Sequence, residues 1–92
     1  MFGQMSTLEF LVVNSSGEPM RNAEIVLSGH QGEVQTHEDG KASVSGIPYG
    51  KLRVQVIAPG YNTYTATYDV NQYNQEITVK LQKSAKQYSI IK

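Results

Sequence analysis

From Leu8 onward, apolar side chains recur at every second position in short runs, the period of a half-buried strand. Residues 7–14 place Leu8, Phe10 and Val12 on one face and Leu11 and Val13 on the other, which predicts a strand covered on both sides or lying at an interface. Ala23, Ile25 and Leu27 form a second inward row, and Ala42 and Val44 another. The stretch around residues 33–36 has weak apolar content and suits an edge strand. Leu52, Val54 and Val56 alternate with Lys51, Arg53 and Gln55 in the cleanest such pattern of the chain. Across residues 62–70, Tyr64, Ala66, Tyr68 and Val70 oppose Thr63, Thr65, Thr67 and Asp69. Ile77, Val79 and Leu81 close the series. Seven strands follow, with residues 88–91 either an eighth on an edge or free. No helical repeat competes.

Between the runs lie turn formers. The breaks are Asn14-Ser15-Ser16-Gly17-Glu18-Pro19, Ser28-Gly29-His30-Gln31-Gly32, Glu38-Asp39-Gly40, Gly46-Ile47-Pro48-Tyr49-Gly50, Ala58-Pro59-Gly60-Tyr61 and Asn71-Gln72-Tyr73-Asn74. Asn, Asp and Ser bond nearby backbone, Gly takes positive φ, and Pro cannot donate to a ladder. Turns spaced about every 8–12 residues predict an all-β, antiparallel Greek-key sandwich. Residues 1–6 read as a flexible lead-in, 7–82 as the sandwich and 83–92 as a tail or extra edge strand. Gly40 and Gly60 are expected at positive φ.

Composition narrows the function. The chain has 92 residues, one domain's worth, with 39% hydrophobic and 17% charged residues. Eight basic and eight acidic side chains cancel, so no electrostatic footprint marks a nucleic acid or an anionic membrane as partner. Without cysteine there is neither a disulfide framework nor a thiolate metal site. No apolar run approaches the ~20 residues of a membrane span. The start, Met1-Phe2-Gly3-Gln4-Met5, lacks the basic and apolar regions of a signal peptide; the chain reads as a cytoplasmic protein or as a piece of a secreted or cell-envelope one.

The turn residues also carry a resemblance. Gly17-Glu18-Pro19 followed by Ala23, then Thr36-His37-Glu38-Asp39-Gly40-Lys41, Ile47-Pro48-Tyr49-Gly50 and Ala58-Pro59-Gly60-Tyr61 occur in this order. Together they resemble the carboxypeptidase regulatory-like domains, which are transthyretin-like (prealbumin-like) β-sandwiches, over about residues 8–81. The resemblance implies the sandwich fold and a non-catalytic accessory role. It assigns structural work to the turns: Asp39 and Gly40 reverse a hairpin, Pro48 and Gly50 make a corner between sheets, and in the turn begun by Pro59, Gly60 permits a tight approach that packs Tyr61 across the sandwich end.

Candidate chemistry is sparse. His30 and His37, with Glu33, Glu38 or Asp39, form a metal shell only if their strands pair; otherwise they are loop histidines. Glu38 and Asp39 are adjacent carboxylates, but a Glu-Asp-Gly turn lacks the alternating acids of a calcium loop. A prealbumin-like hydrolase of a purine breakdown product carries a C-terminal Tyr-Arg-Gly-Ser signature, and this chain ends Tyr88-Ser89-Ile90-Ile91-Lys92 instead. Related adhesin sandwiches close an internal Lys–Asn bond from a first-strand Lys, and here Glu9 is the only charge on that strand.

No catalytic residue, metal ligand or cofactor is therefore expected. The expected function is a protein-interaction or structural module of a larger secreted, envelope or injection-spike protein. The expected partner is another protein or a domain of the parent chain, with self-association through a sheet edge or the tail. Its candidate contact residues are Tyr49 and Tyr73, as an exposed loop pair, and Tyr88, Ile90 and Ile91 in the tail. The alternatives are carbohydrate binding through exposed Tyr, which offers a flat amphipathic face, and a small hydrolase.

Overall fold

The computed structural model describes residues 3–84. Seven strands and no helix occur among the described residues: β1 Met5–Val13, β2 Glu24–Leu27, β3 Val34–Gln35, β4 Lys41–Pro48, β5 Gly50–Ile57, β6 Tyr64–Val70 and β7 Asn74–Lys80. They form two sheets, one ordered β4-β1-β7 and the other β3-β2-β5-β6. The chain changes sheet at β1–β2, β3–β4, β4–β5 and β6–β7, and stays within one sheet at β2–β3 and β5–β6. Such repeated crossing folds the two inward faces onto a single core.

That core is the row of alternating residues. Leu8, Phe10, Val12, Ile25, Leu27, Val54, Val56, Ile77, Val79 and Leu81 are buried, together with Ala23, Ala42, Val44 and Leu52. Leu11 and Val13 are half-buried on the outer face of β1. Burial of β6 is incomplete: Val70 is enclosed, whereas Tyr64, Ala66 and Tyr68 keep intermediate exposure at the sheet's margin.

Several features depart from expectation. β1 starts at Met5 rather than residue 7, and Ser6 is buried inside it. β1 pairs with β4 antiparallel but with β7 in parallel, from Thr7↔Asn74 to Val13↔Lys80, so the three-stranded sheet is mixed rather than antiparallel. Local periodicity cannot report the relative direction of strands some 70 residues apart, because both directions bury the same alternate positions. Gly46, Ile47 and Pro48 belong to β4, with Ile47 buried; only Tyr49 separates β4 from β5 at the corner. Opposite them the β1 register shifts between Ser6 and Leu8, which breaks the alternation read from sequence. Ala58, expected in a turn, is buried too. The eighth strand expected at 88–91 lies outside the described residues.

Gly40 and Gly60 hold φ of 76° and 84°, as expected of reversals that only glycine makes without strain. Their surroundings differ. Gly40 is packed against the backbone of Val12 and Met20, whereas a Cβ on Gly60 would meet nothing within 4 Å. Gly60 therefore makes no tight approach. Tyr61 is nonetheless half-buried against the core, and a short antiparallel ladder holds it there: Asn62 N donates to Gln82 O (2.9 Å) and Ser84 N to Gly60 O (2.9 Å), around the Tyr61↔Lys83 bridge.

Candidate functional site

Parallel pairing of β1 with β7 gives the sandwich an entry end, where both strands start, and an exit end, where both finish. Two loops gather at the entry end, the β4–β5 corner and the β6–β7 loop, tied together by the first residues of β1 and Gln4 before it. Ser6 Oγ donates to Gln72 O at 2.6 Å. Thr7 N donates to Tyr73 O at 2.9 Å, and Tyr49 N to Gln4 O at 3.1 Å. Burying Ser6 is tolerated because its hydroxyl is paired. These bonds bring Tyr49, Met5 and Tyr73, distant in sequence, to one end of the molecule.

The expected pair of exposed tyrosines is thus brought together, but unequally. Tyr73 is 77% exposed and Met5 53%, whereas Tyr49 packs half-buried against the core. Pro48 and Gly50 flank Tyr49 and turn its ring inward; a loop position alone says nothing of that direction. Tyr88, Ile90 and Ile91 lie outside the described residues. Met5 was not legible as part of this surface, because it precedes the first clear alternation.

At the exit end, the turns do structural work. Asp39 Oδ1 accepts from Lys41 N at 3.0 Å, and Gly40 N donates to His37 O at 2.9 Å, closing the reversal into β4. Glu38 faces Arg21 at 3.8 Å, both well exposed, a pairing worth little. The two histidines do not meet. His37 lies at this end just after β3, while His30 sits in the loop at the opposite end of β3. No group of three or more His, Asp or Glu with metal-holding geometry exists among the described residues.

The four-stranded sheet carries a perturbed ionisation at Tyr68. Tyr64 and Tyr68 share a 2.6 Å hydrogen bond between their hydroxyls along the inner side of β6. Burial first, then that bond and repulsion from a Tyr64 phenolate, push Tyr68 up to about 12. A phenol held neutral in this way is neither a base nor a nucleophile near neutral pH. A shallow depression on the outer face of the three-stranded sheet is lined by Glu9, Leu11, Lys41, Glu76 and Thr78, with no nucleophile–base pair in it.

Solved structures share this fold. The TIE protein of Bacillus anthracis superposes with a TM-score of 0.73 at 19% identity, over 86% of this chain and 16% of its own. GBS52, the minor pilin of Streptococcus agalactiae, gives 0.72 at 15%, over 89% and 46%. A cohesin–X-dockerin complex from Acetivibrio cellulolyticus gives 0.69 at 12%, over 83% and 56%. The chain spans less than two thirds of each of these proteins. No curated protein matches it significantly. The model of the carboxypeptidase regulatory-like domain matches residues 7–84, nearly the whole sandwich, and the chain belongs to that family.

Proposed function

We propose that this domain is a non-catalytic, in-line interaction module of a larger extracellular protein, holding its neighbours apart and contacting them or a partner protein. The observation that carries this reading is the parallel pairing of β1 and β7, the first and last of the described strands. A chain that enters at one end of a sandwich and leaves at the other adds length to whatever it joins. With nine residues in β1 and about 3.3 Å per residue, that length is roughly 30 Å. The exposed Met5 and Tyr73 at the entry end face the direction from which a preceding domain would come, and aromatic and Met side chains suit such contacts.

Two further observations support it. The pilin and the cohesin–dockerin assembly that share the fold are larger proteins of which this chain spans a part. The scattered His, Asp and Glu residues assemble no metal-holding group among the described residues. A carbohydrate platform would need coplanar exposed aromatics, and of the described tyrosines Tyr73 alone projects freely.

Insertion between two fluorescent proteins tests the reading. Energy transfer should drop to the level set by a rigid spacer of about 30 Å. Transfer equal to that across a flexible linker of the same residue count would overturn the in-line geometry. Turnover of an ester, peptide or ureide that is lost on His30→Ala or His37→Ala would overturn the non-catalytic part.

A further inference from the structure

Each sheet has two edges, and an edge strand presents unpaired N–H and C=O groups that proteins ordinarily blunt with Lys, Pro, Gly or brevity. Three of the four edges here are blunted. β3 is two residues long. β4 contains Lys41, Gly46 at φ 74° and Pro48. β7 carries Glu76 and Lys80. β6 differs: Tyr64-Thr65-Ala66-Thr67-Tyr68-Asp69-Val70 runs in unbroken register with β5, without Lys, Pro or Gly, and with a single charge near its end.

The backbone groups that face outward from β6 can be identified. On β5, Arg53 O accepts from Ser28 N (3.0 Å) and Arg53 N donates to Ser28 Oγ (3.2 Å), so the odd residues of β5 face β2 and its even residues face β6. In the antiparallel register, Leu52↔Tyr68, Val54↔Ala66 and Val56↔Tyr64 are then the bonded pairs, and Thr65, Thr67 and Asp69 point their backbone outward. Gln75 Nε2 on β7 confirms the parity by donating to Asp69 O at 3.1 Å. That bond caps the lower end of the edge. Above Tyr64, residues 82–84 run antiparallel to 60–62 and so lead away from β6. Among the described residues, the window left open is Thr65 and Thr67.

We propose that this window is a self-association edge, where β6 of a second copy pairs antiparallel about a two-fold axis at Ala66. The register follows from the open groups: Thr65 exchanges main-chain bonds with the partner's Thr67, and Thr67 with the partner's Thr65. Every other position is compatible. Ala66 faces the partner's Ala66 at the closer, non-bonded spacing. Tyr64 faces the partner's Tyr68, so the half-exposed inner side of β6 gains an aromatic pair. Asp69 meets the partner's Thr63, and no like charges oppose. The result is a continuous eight-stranded sheet that covers Tyr64, Ala66 and Tyr68, which the three-stranded sheet leaves half-exposed.

Sedimentation of the chain from micromolar to millimolar concentration tests the pairing. The parent should shift reversibly from monomer to dimer. Thr67→Pro removes an outward donor without touching the β5–β6 ladder. Thr65→Lys with Thr67→Lys sets positive charges against each other across the two-fold. Both variants should remain monomeric with the parent's circular dichroism. A parent that stays monomeric throughout, or a dimer that survives both changes, would overturn the proposal. Should either variant fail to fold, hydrogen exchange of the parent decides: the Thr65 and Thr67 amides should be protected at high concentration only, and concentration-independent exchange excludes the pairing.

Discussion

A Cβ added to Gly40 would stand 2.7 Å from Val12 O and 2.9 Å from Pro19 Cβ, while Gly60 has open space around it. The two glycines share a backbone conformation but not a packing constraint. Gly60→Ala should therefore cost only the left-handed strain, about 1–2 kcal/mol. Gly40→Ala adds a clash with backbone that cannot swing aside and should cost about 2–4 kcal/mol, measured by denaturant unfolding. The alternation and the Asp39-Gly40 pair announced the first constraint; the second depends on the β1–β2 connection folding over the turn, which no local pattern reports. Thr36 was equally silent. Its buried hydroxyl donates to Met20 O at 2.5 Å and accepts from Ala23 N at 3.0 Å, so a polar residue read as part of a weak strand in fact pins the entry to β2. Tyr68 adds a pH signature. Its pKa is raised from 10.0 to about 12 in the folded chain, so the unfolded state loses this proton first. Its contribution to stability is constant below pH ~10 and falls as pH rises from about 10 to 12. Tyr68→Phe should flatten that decline in an alkaline titration of stability.

Among the elements, β5 holds Val54 and Val56 fully enclosed between the sheets. Val54→Ala should destabilise by about 1–3 kcal/mol, combining lost transfer and cavity terms. A thermal melt equal to the parent's would contradict the packing. β5 and β2 were legible because a strict period of two, bounded by Gly and Pro, has only one half-buried solution, and β7 because the same period follows a polar turn. β4 was legible only in its first half. Beyond Val44 the local register irregularity carries Gly46 outward and Ile47 inward, and a corner made of turn formers was hard to tell from a strand that bends. The candidate surface was legible in part: Tyr73 stands exposed, whereas Tyr49 is drawn against the core by its hydrogen bond to Gln4 O and by the corner around it.

For the whole molecule, the parallel ladder between β1 and β7 has a mechanical meaning. Tension applied between entry and exit runs along those two strands, so the seven register pairs from Thr7↔Asn74 to Val13↔Lys80 bear load together in shear. A hairpin pulled from its open end instead unzips one bond at a time. Single-molecule extension between the two ends should therefore need distinctly more force than extension that peels β6 from β5, since forced unfolding reads the barrier rather than the equilibrium stability. Equal forces in the two geometries would contradict the shear picture. A domain with no disulfide would then resist tension by the direction of its first and last strands alone: a link whose strength is set by topology.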